Sequence, residues 1–415
     1  MRIWSCLRAL SVSTAGRKAA VPFIFFLLLS PHLKAQQRWK IQFFYDKPDS
    51  SLAISDIQCP SAARCVAAGS IVERDGRQKG AVVVTSDGGA HWSVVSVKEI
   101  PLSLFFLNDS LGWMVTDHGI WTSAEGGSSW TKLEPLKDIA RVYFVDPLHG
   151  YAIGFPKAVY ETLDGGKKWT KLAAASQPTS DPKHTVYDCI TFRGQHGIIL
   201  GVVERDQLDL DALLQRSRPQ QNSTTAILET LDGGKTWQSS TKTYFGEITH
   251  VSLSKEGTIV LLVEYRDNYT LPSSVVEWPS GAEQLTTVFA ERNRAVTDFA
   301  FLPEGSAILA AIEPPGNSNQ VPIPGKLKML ESRDRKTWRE IDVDYRAVAQ
   351  RAVLAAFDAQ HVWVATDTGM ILSRVDGKTS ERRRERTTSL GDAVLSTSSP
   401  QLEVSKRLNP GAIKP

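Results

Sequence analysis

Several common sources of chemistry are missing from this chain. Cysteine is scarce: there are four in 415 residues, and Cys6 lies in a basic N-terminal leader. A structural metal site built on the remaining Cys59, Cys65 and Cys189 would need further ligands at matching spacing. His91 and His118 do not supply them. No Gly-rich phosphate loop, zinc-protease helix motif or Gly-x-Ser-x-Gly nucleophile elbow occurs. Charge of one sign is also lacking. The formal net charge is only +3, and part of it sits at the two ends, so no nucleic-acid footprint is expected. Nothing in these patterns calls for a cofactor, a metal or a nucleotide.

Long apolar runs are absent as well. The most apolar stretch, Val21 to Leu29, extends loosely to Leu33. That is short of the roughly 20 residues a membrane span needs. It follows Arg2, Arg8, Arg17 and Lys18 and ends in Leu33-Lys34-Ala35, the pattern of a cleavable export signal over residues 1–35. No cysteine stands near the cut, which argues against a lipid anchor. A periplasmic or secreted location is expected. In such an oxidising compartment Cys59 and Cys65 can pair across the short loop Pro60–Arg64, a hairpin staple worth roughly 2 kcal/mol. Cys189 is left over and reads as a small buried side chain in a strand.

What the chain does contain is a repeat. Ser or Thr, any residue, an acid, Gly-Gly, two residues and Trp recur four times. The copies carry Asp87, Gly88, Gly89 and Trp92; Glu125, Gly126, Gly127 and Trp130; Asp164, Gly165, Gly166 and Trp169; and Asp232, Gly233, Gly234 and Trp237. A fifth, shorter copy keeps Asp334 and Trp338 but has lost its glycines. The glycines suit a turn needing positive φ. The acid can accept the turn's own N–H groups, and the Trp opens the next strand and packs its ring against the sheet.

The text before each turn repeats too. Leu104–Leu107, Leu111–Val115 and Gly119–Trp121 read as three short strands, as do Arg141–Val145, Gly150–Gly154 and Val159–Thr162. With the strand opened by the Trp, each unit is a four-stranded meander. Trp92 to Trp130 is 38 residues and Trp130 to Trp169 is 39, the length of one propeller blade. Longer spacings hold insertions at Glu204–Thr225 and Glu313–Gly325, and a unit around Val275–Trp278 that lacks the box.

The expectation is an all-β propeller over residues 36–379, with seven blades favoured and six or eight compatible with degenerate units. The last unit, near Ala352–Ser373, lacks a fourth strand, and Arg38–Phe44 is predicted to supply it and close the ring. Residues 380–415, with Arg382–Arg386 followed by Ser, Thr and Pro, read as a disordered tail.

These boxes resemble the bacterial-neuraminidase (BNR) repeat, or Asp box. In that family the box lies on the hairpin between third and fourth strands and its role is structural. The span from Trp39 to Gly377 is similar to the photosystem II assembly/stability-factor-like group of exported propellers, whose strands resemble Gly150-Tyr151-Ala152-Ile153-Gly154. No photosynthetic role follows from fold alone.

Sialidases share the box but add an arginine triad, a Tyr–Glu pair and an Arg-Ile-Pro start, where this chain has Arg38-Trp39-Lys40. Glycan hydrolysis by paired carboxylates is the enzymatic alternative. Its candidates are Asp56, Asp117, Asp188, Asp298 and Asp367, each of which also suits a turn or strand end. The favoured reading is a non-enzymatic, monomeric binding or assembly module for an envelope protein or glycan. Anchor candidates are Trp113, Trp121, Tyr151 and Trp363, which also suit packing between blades, and the Glu204–Thr225 insertion is a further partner site.

Overall fold

The structure is a computed structural model. It describes residues 38–133, 135–177, 185–203, 222–265, 270–279, 284–314 and 324–375. The leader over 1–35, most of the two insertions and the tail over 380–415 lie outside the described residues.

Apolar runs of five residues, broken by turn residues every few positions, build a ring of seven four-stranded antiparallel blades. The innermost strands are Ser50–Gln58, Pro101–Phe106, Ile139–Phe144, Thr185–Arg193, Glu247–Leu253, Ala295–Phe301 and Ala352–Ala356. Second strands such as Gly112–Thr116, Gly150–Gly154 and Val362–Thr366 are buried along their whole length. Both their faces are covered by neighbouring blades, so they read as continuous apolar runs rather than alternating ones. The outermost strands vary, from Gln238–Phe245 in blade four to very short pieces in blades two and three. Thr131–Lys132 and Thr170–Lys171 are fully exposed two-residue pieces, which leaves little edge in those two blades for another chain to pair with.

The core is divided into seven clusters, one in each gap between adjacent blades. No cluster spans the ring, so each blade is held by its two neighbours and closure matters. Closure occurs as expected. Arg38–Phe44 pairs antiparallel with Met370–Val375 as the outer strand of the seventh blade. Trp39, fully buried, sits in the cluster between blades six and seven. The same strand also pairs briefly in parallel with blade six, through Arg38 with Asp342 and Trp39 with Val343.

The Cys59–Cys65 disulfide is formed and closes the turn between the first two strands of blade one. Cys189 is buried in the innermost strand of blade four.

Candidate functional site

The box corners can be assigned first. In blade one Thr85 is buried, and its Oγ1 accepts N–H groups from Asp87 (3.3 Å) and Gly89 (3.0 Å) while donating to Asp87 Oδ1 (2.8 Å). Asp87 in turn accepts the His91 N–H at 2.9 Å. Thr162 with Asp164, and Thr230 with Asp232, repeat this arrangement. Backbone N–H donors hold the Asp87 and Asp164 carboxyls below the usual range, and Thr236 holds Asp232 at about 2. Glu125 has a longer side chain and, among the described residues, accepts only from the Ser129 hydroxyl, at 2.6 Å. In the fifth copy Asp334 caps Lys336 and Thr337, and Arg335 takes the positive φ of 57° that glycine holds elsewhere. The buried hydroxyls Thr85, Ser123, Thr162, Thr230 and Ser332 are thus as much a part of the corner as the acids. The sequence pattern contained them without revealing that role.

The second glycine of each box meets the preceding blade. A Cβ on Gly89 would lie 1.9 Å from Gln42 Oε1 and 3.4 Å from Trp363 Nε1, both on blade seven. One on Gly234 would lie 1.9 Å from the Tyr151 hydroxyl of blade three. Trp113 Nε1 likewise donates to the Gly165 carbonyl at 3.4 Å. Trp113, Tyr151 and Trp363 are therefore interlocked with the next blade's box and fully buried, which removes them as partner anchors. Trp121 is half-buried and donates to Glu99 at 2.7 Å, so it too is committed internally. The box indoles Trp92, Trp130, Trp169, Trp237 and Trp338 pack against their blades but stay half-buried, because they lie at the wet outer end of each blade.

The axis of the ring is different in kind. In blades one to six the innermost strand shifts register against its neighbour at one position, a β-bulge that locally breaks the alternation of its side chains. The residues at or next to these bulges include Asp56, Arg141, Asp188, His250 and Asp298.

Asp56 and Asp298 are matched staples. Asp56 accepts N–H groups from Ile57 (2.7 Å) and from Leu104 of the next blade (2.8 Å). Asp298 accepts from Phe299 (2.9 Å) and from Leu354 of the next blade (2.7 Å), and its Oδ1 lies 2.6 Å from His250 Nδ1 as an ion-pair contact. Burial pushes the Asp56 carboxyl up, against the pull of Arg141 and its two N–H donors.

Arg141 donates through Nε to the Asp188 carbonyl at 2.9 Å and lies 3.9 Å from Asp56. Its side chain keeps 44% of its surface accessible although protein surrounds it, as a channel wall allows. Burial pushes Asp188 up to about 6, only partly opposed by Arg141.

Asp117 and Asp367 occupy another setting. Asp117 caps Ile100, and Asp367 caps Gln350 and Arg351, both at turns between second and third strands. The five candidate acids thus divide into three near the axis and two turn caps. Asp56 and Asp298 are already satisfied by backbone donors. Arg141 and His250 were not singled out from sequence. Their signal was available only as polar residues at matching positions of the innermost strands, each just after the register shift. Residues 204–221 of the insertion expected to meet a partner lie outside the described residues. Among the described residues no group of three metal-ligating side chains occurs, and no helix is long and apolar enough to cross a membrane.

A family model described as photosynthesis system II assembly factor YCF48 matches residues 131–204. The photosystem II assembly lipoprotein Ycf48 of Trichormus variabilis is 24% identical over 279 residues, covering 60% of this chain and 74% of that protein. A solved structure of YCF48 bound to a D1 peptide superposes with a TM-score of 0.54 at 17% identity, covering 81% of this chain and 95% of that one. YCF48 from Cyanidioschyzon merolae gives 0.53 at 16%, covering 81% and 98%. The chain is an Asp-box β-propeller similar to the photosystem II assembly-factor group.

Proposed function

We propose that this protein is an exported, non-catalytic binding module that engages a segment of an envelope protein at the axis of its ring. Residues 1–35 direct export and are removed, residues 36–379 form the working domain, residues 380–415 form a solvated tail, and the protein acts as a monomer. The observation that carries the reading is the polar set on the innermost strands: Arg141, Asp188 and His250, from three successive blades, stand beside an accessible channel. The repeat corners around the rim are spent on the fold. A related propeller has been solved with a peptide of another protein bound, and a related protein is an assembly lipoprotein, which supports a protein segment as the ligand class. Paired free carboxylates are what glycan hydrolysis would require, and Asp56 and Asp298 are each tied to two backbone donors.

The test is cross-linked affinity capture from envelope extracts. Wild-type protein is expected to retain a specific envelope protein, and Arg141→Glu to reduce its recovery about tenfold while the thermal transition persists, as for truncation of a charged interface anchor. Failure to capture a partner, or capture indifferent to Arg141, would overturn the reading, as would turnover of any polysaccharide in a broad glycan panel.

A further inference from the structure

In each box the hydroxyl, the acid and the glycines hold the corner, while the residue between hydroxyl and acid varies. It is Ser86 in blade one, Ala124 in blade two, Leu163 in blade three, Leu231 in blade four and Arg333 in blade six. Beside it lies the turn between the first and second strands, where a backbone carbonyl accepts the N–H of the first box glycine. That carbonyl belongs to Ala63, Ser110, Leu148 and Gln195 in blades one to four, at 2.8 to 2.9 Å. Serine or alanine thus fills both positions in blades one and two, and the corner does not demand leucine at either. Yet Leu148, Leu163 and Leu231 stand with 59%, 69% and 68% of their surface exposed, so the fold gains little from them.

The three leucines share one end of two adjoining blades. Leu148 and Leu163 are joined through the bond from Gly165 N–H to the Leu148 carbonyl. The corner carrying Leu231 packs onto blade three, with the Trp237 ring 5.4 Å from that of Tyr151. The other large apolar side chains exposed among the described residues, Phe44, Leu102, Phe245, Tyr345 and Phe357, are dispersed over four blades.

Charge at the same corners is sorted by direction. Lys167, Lys168 and Lys235 are exposed, and none of them forms an ion pair with a described residue. The acids are turned onto their own turns: Asp146 accepts the N–H groups of Leu148 and His149, Asp164 that of Lys168 and Asp232 that of Thr236. What faces outward is a set of apolar tips beside ammonium groups. The leucines lie on turn tips rather than in a groove, which suits a surface that tips can enter. Apolar side chains flanked by lysine are the chemistry of attachment to an anionic lipid interface.

We infer that this end of blades three and four docks on an anionic lipid surface of the envelope, with Leu148, Leu163 and Leu231 entering the headgroup layer and Lys167, Lys168 and Lys235 meeting lipid phosphates. The surface uses neither Arg141 nor the channel, so it stands independently of the axial reading.

The probe is flotation of the protein without residues 1–35 on vesicles of phosphatidylglycerol and phosphatidylethanolamine, with phosphatidylcholine vesicles as the neutral control. Wild type is expected to float with the anionic vesicles. Leu148→Ser, Leu163→Ser and Leu231→Ser together place at these positions the residue that Ser110 and Ser86 already supply, so the thermal transition should persist. Their partitioning should fall at least tenfold, since transfer of even one leucine from water is worth about that factor. Lys167→Gln, Lys168→Gln and Lys235→Gln form a second, fully exposed set. Each should cost about fivefold on the anionic vesicles and nothing on phosphatidylcholine. Arg141→Glu should float as wild type does, which separates this surface from the axial one. Wild type that does not float, either set of variants floating unchanged, or flotation lost only on removal of residues 380–415 would overturn the inference. Reduced capture of a protein from detergent-solubilised extract by the leucine variants, without flotation of wild type, would also overturn it and assign the patch to a protein.

Discussion

Replacing Trp39 by Ala tests whether the N-terminal strand closes the ring. Trp39 is fully buried between blades six and seven, packed with residues that include Ile308, Met329 and Leu372. Truncating a buried Trp costs about 3–5 kcal/mol through lost burial and the cavity left behind. Among the described residues its Nε1 has no hydrogen-bond partner, so the native side chain already carries a desolvation cost that Ala would relieve. The expected loss is therefore near the lower limit, about 3 kcal/mol. Trp39→Phe removes the unpaired donor and less volume, and should cost about 1 kcal/mol. Against a total stability of about 5–15 kcal/mol the Ala change is large. Urea unfolding followed by far-ultraviolet circular dichroism measures it. The midpoint should fall with the slope unchanged, since the same surface is exposed on unfolding. Deleting Arg38–Phe44 should act differently. It uncovers the Met370–Val375 edge, lowers the slope and promotes association. If Trp39→Ala stays within 1 kcal/mol of wild type, or the deletion unfolds with unaltered midpoint and slope, closure by this strand is wrong.

Reducing the Cys59–Cys65 bridge, which spans six positions, should cost about 2 kcal/mol, read as a thiol-dependent shift in the urea midpoint. Gly89→Ala should destabilise by more than about 1 kcal/mol in the same assay. It combines a φ of +87° with a Cβ 1.9 Å from Gln42 Oε1, so a neutral result would refute the role given to the second box glycine. Asp188→Asn should raise stability at pH 8 and leave it unchanged at pH 4. The folded carboxyl at about 6 lies above its unfolded value of 3.8. The folded state therefore binds the extra proton between those values, and stability falls as pH rises through that window. The full shift corresponds to about 3 kcal/mol, reduced to about 1–2 by water in the channel and measured as the pH dependence of Tm.

The rim of the ring was readable from sequence because each corner solves the same problem by the same residues. Asp87, Asp164 and Asp232 bind the same relative N–H groups, so the repeat shows in the text. The fifth copy stayed recognisable without glycine because Asp334 and Trp338 persist while Arg335 adopts the strained backbone. The half-burial of the box indoles was not readable, since it depends on how far each outer strand extends. Nor was the link between Tyr151 and Gly234. They belong to different repeats 83 residues apart and meet only because successive blades pack face to face.

The axis follows the opposite logic. Bulges recur in six innermost strands, yet what stands at them varies: Asp56, Ser103, Arg141, Cys189, His250 and Asp298 follow the shift in successive blades. A repeat search weights what is shared and so passes over these positions. Physical constraint explains the split. A corner must satisfy its own N–H groups in any blade, whereas the position after the bulge carries no such shared demand and is free to differ. Asp56 and Asp298 mark the limit of that freedom. They stand at equivalent positions, each reaching the N–H of a leucine in the next blade, and so behave as a second, inner repeat that joins blade one to two and six to seven. Once those two acids are assigned to the fold, Arg141, Asp188 and His250 remain as the groups beside the channel that no repeating structural demand accounts for. These three are where a partner's chemistry should be sought.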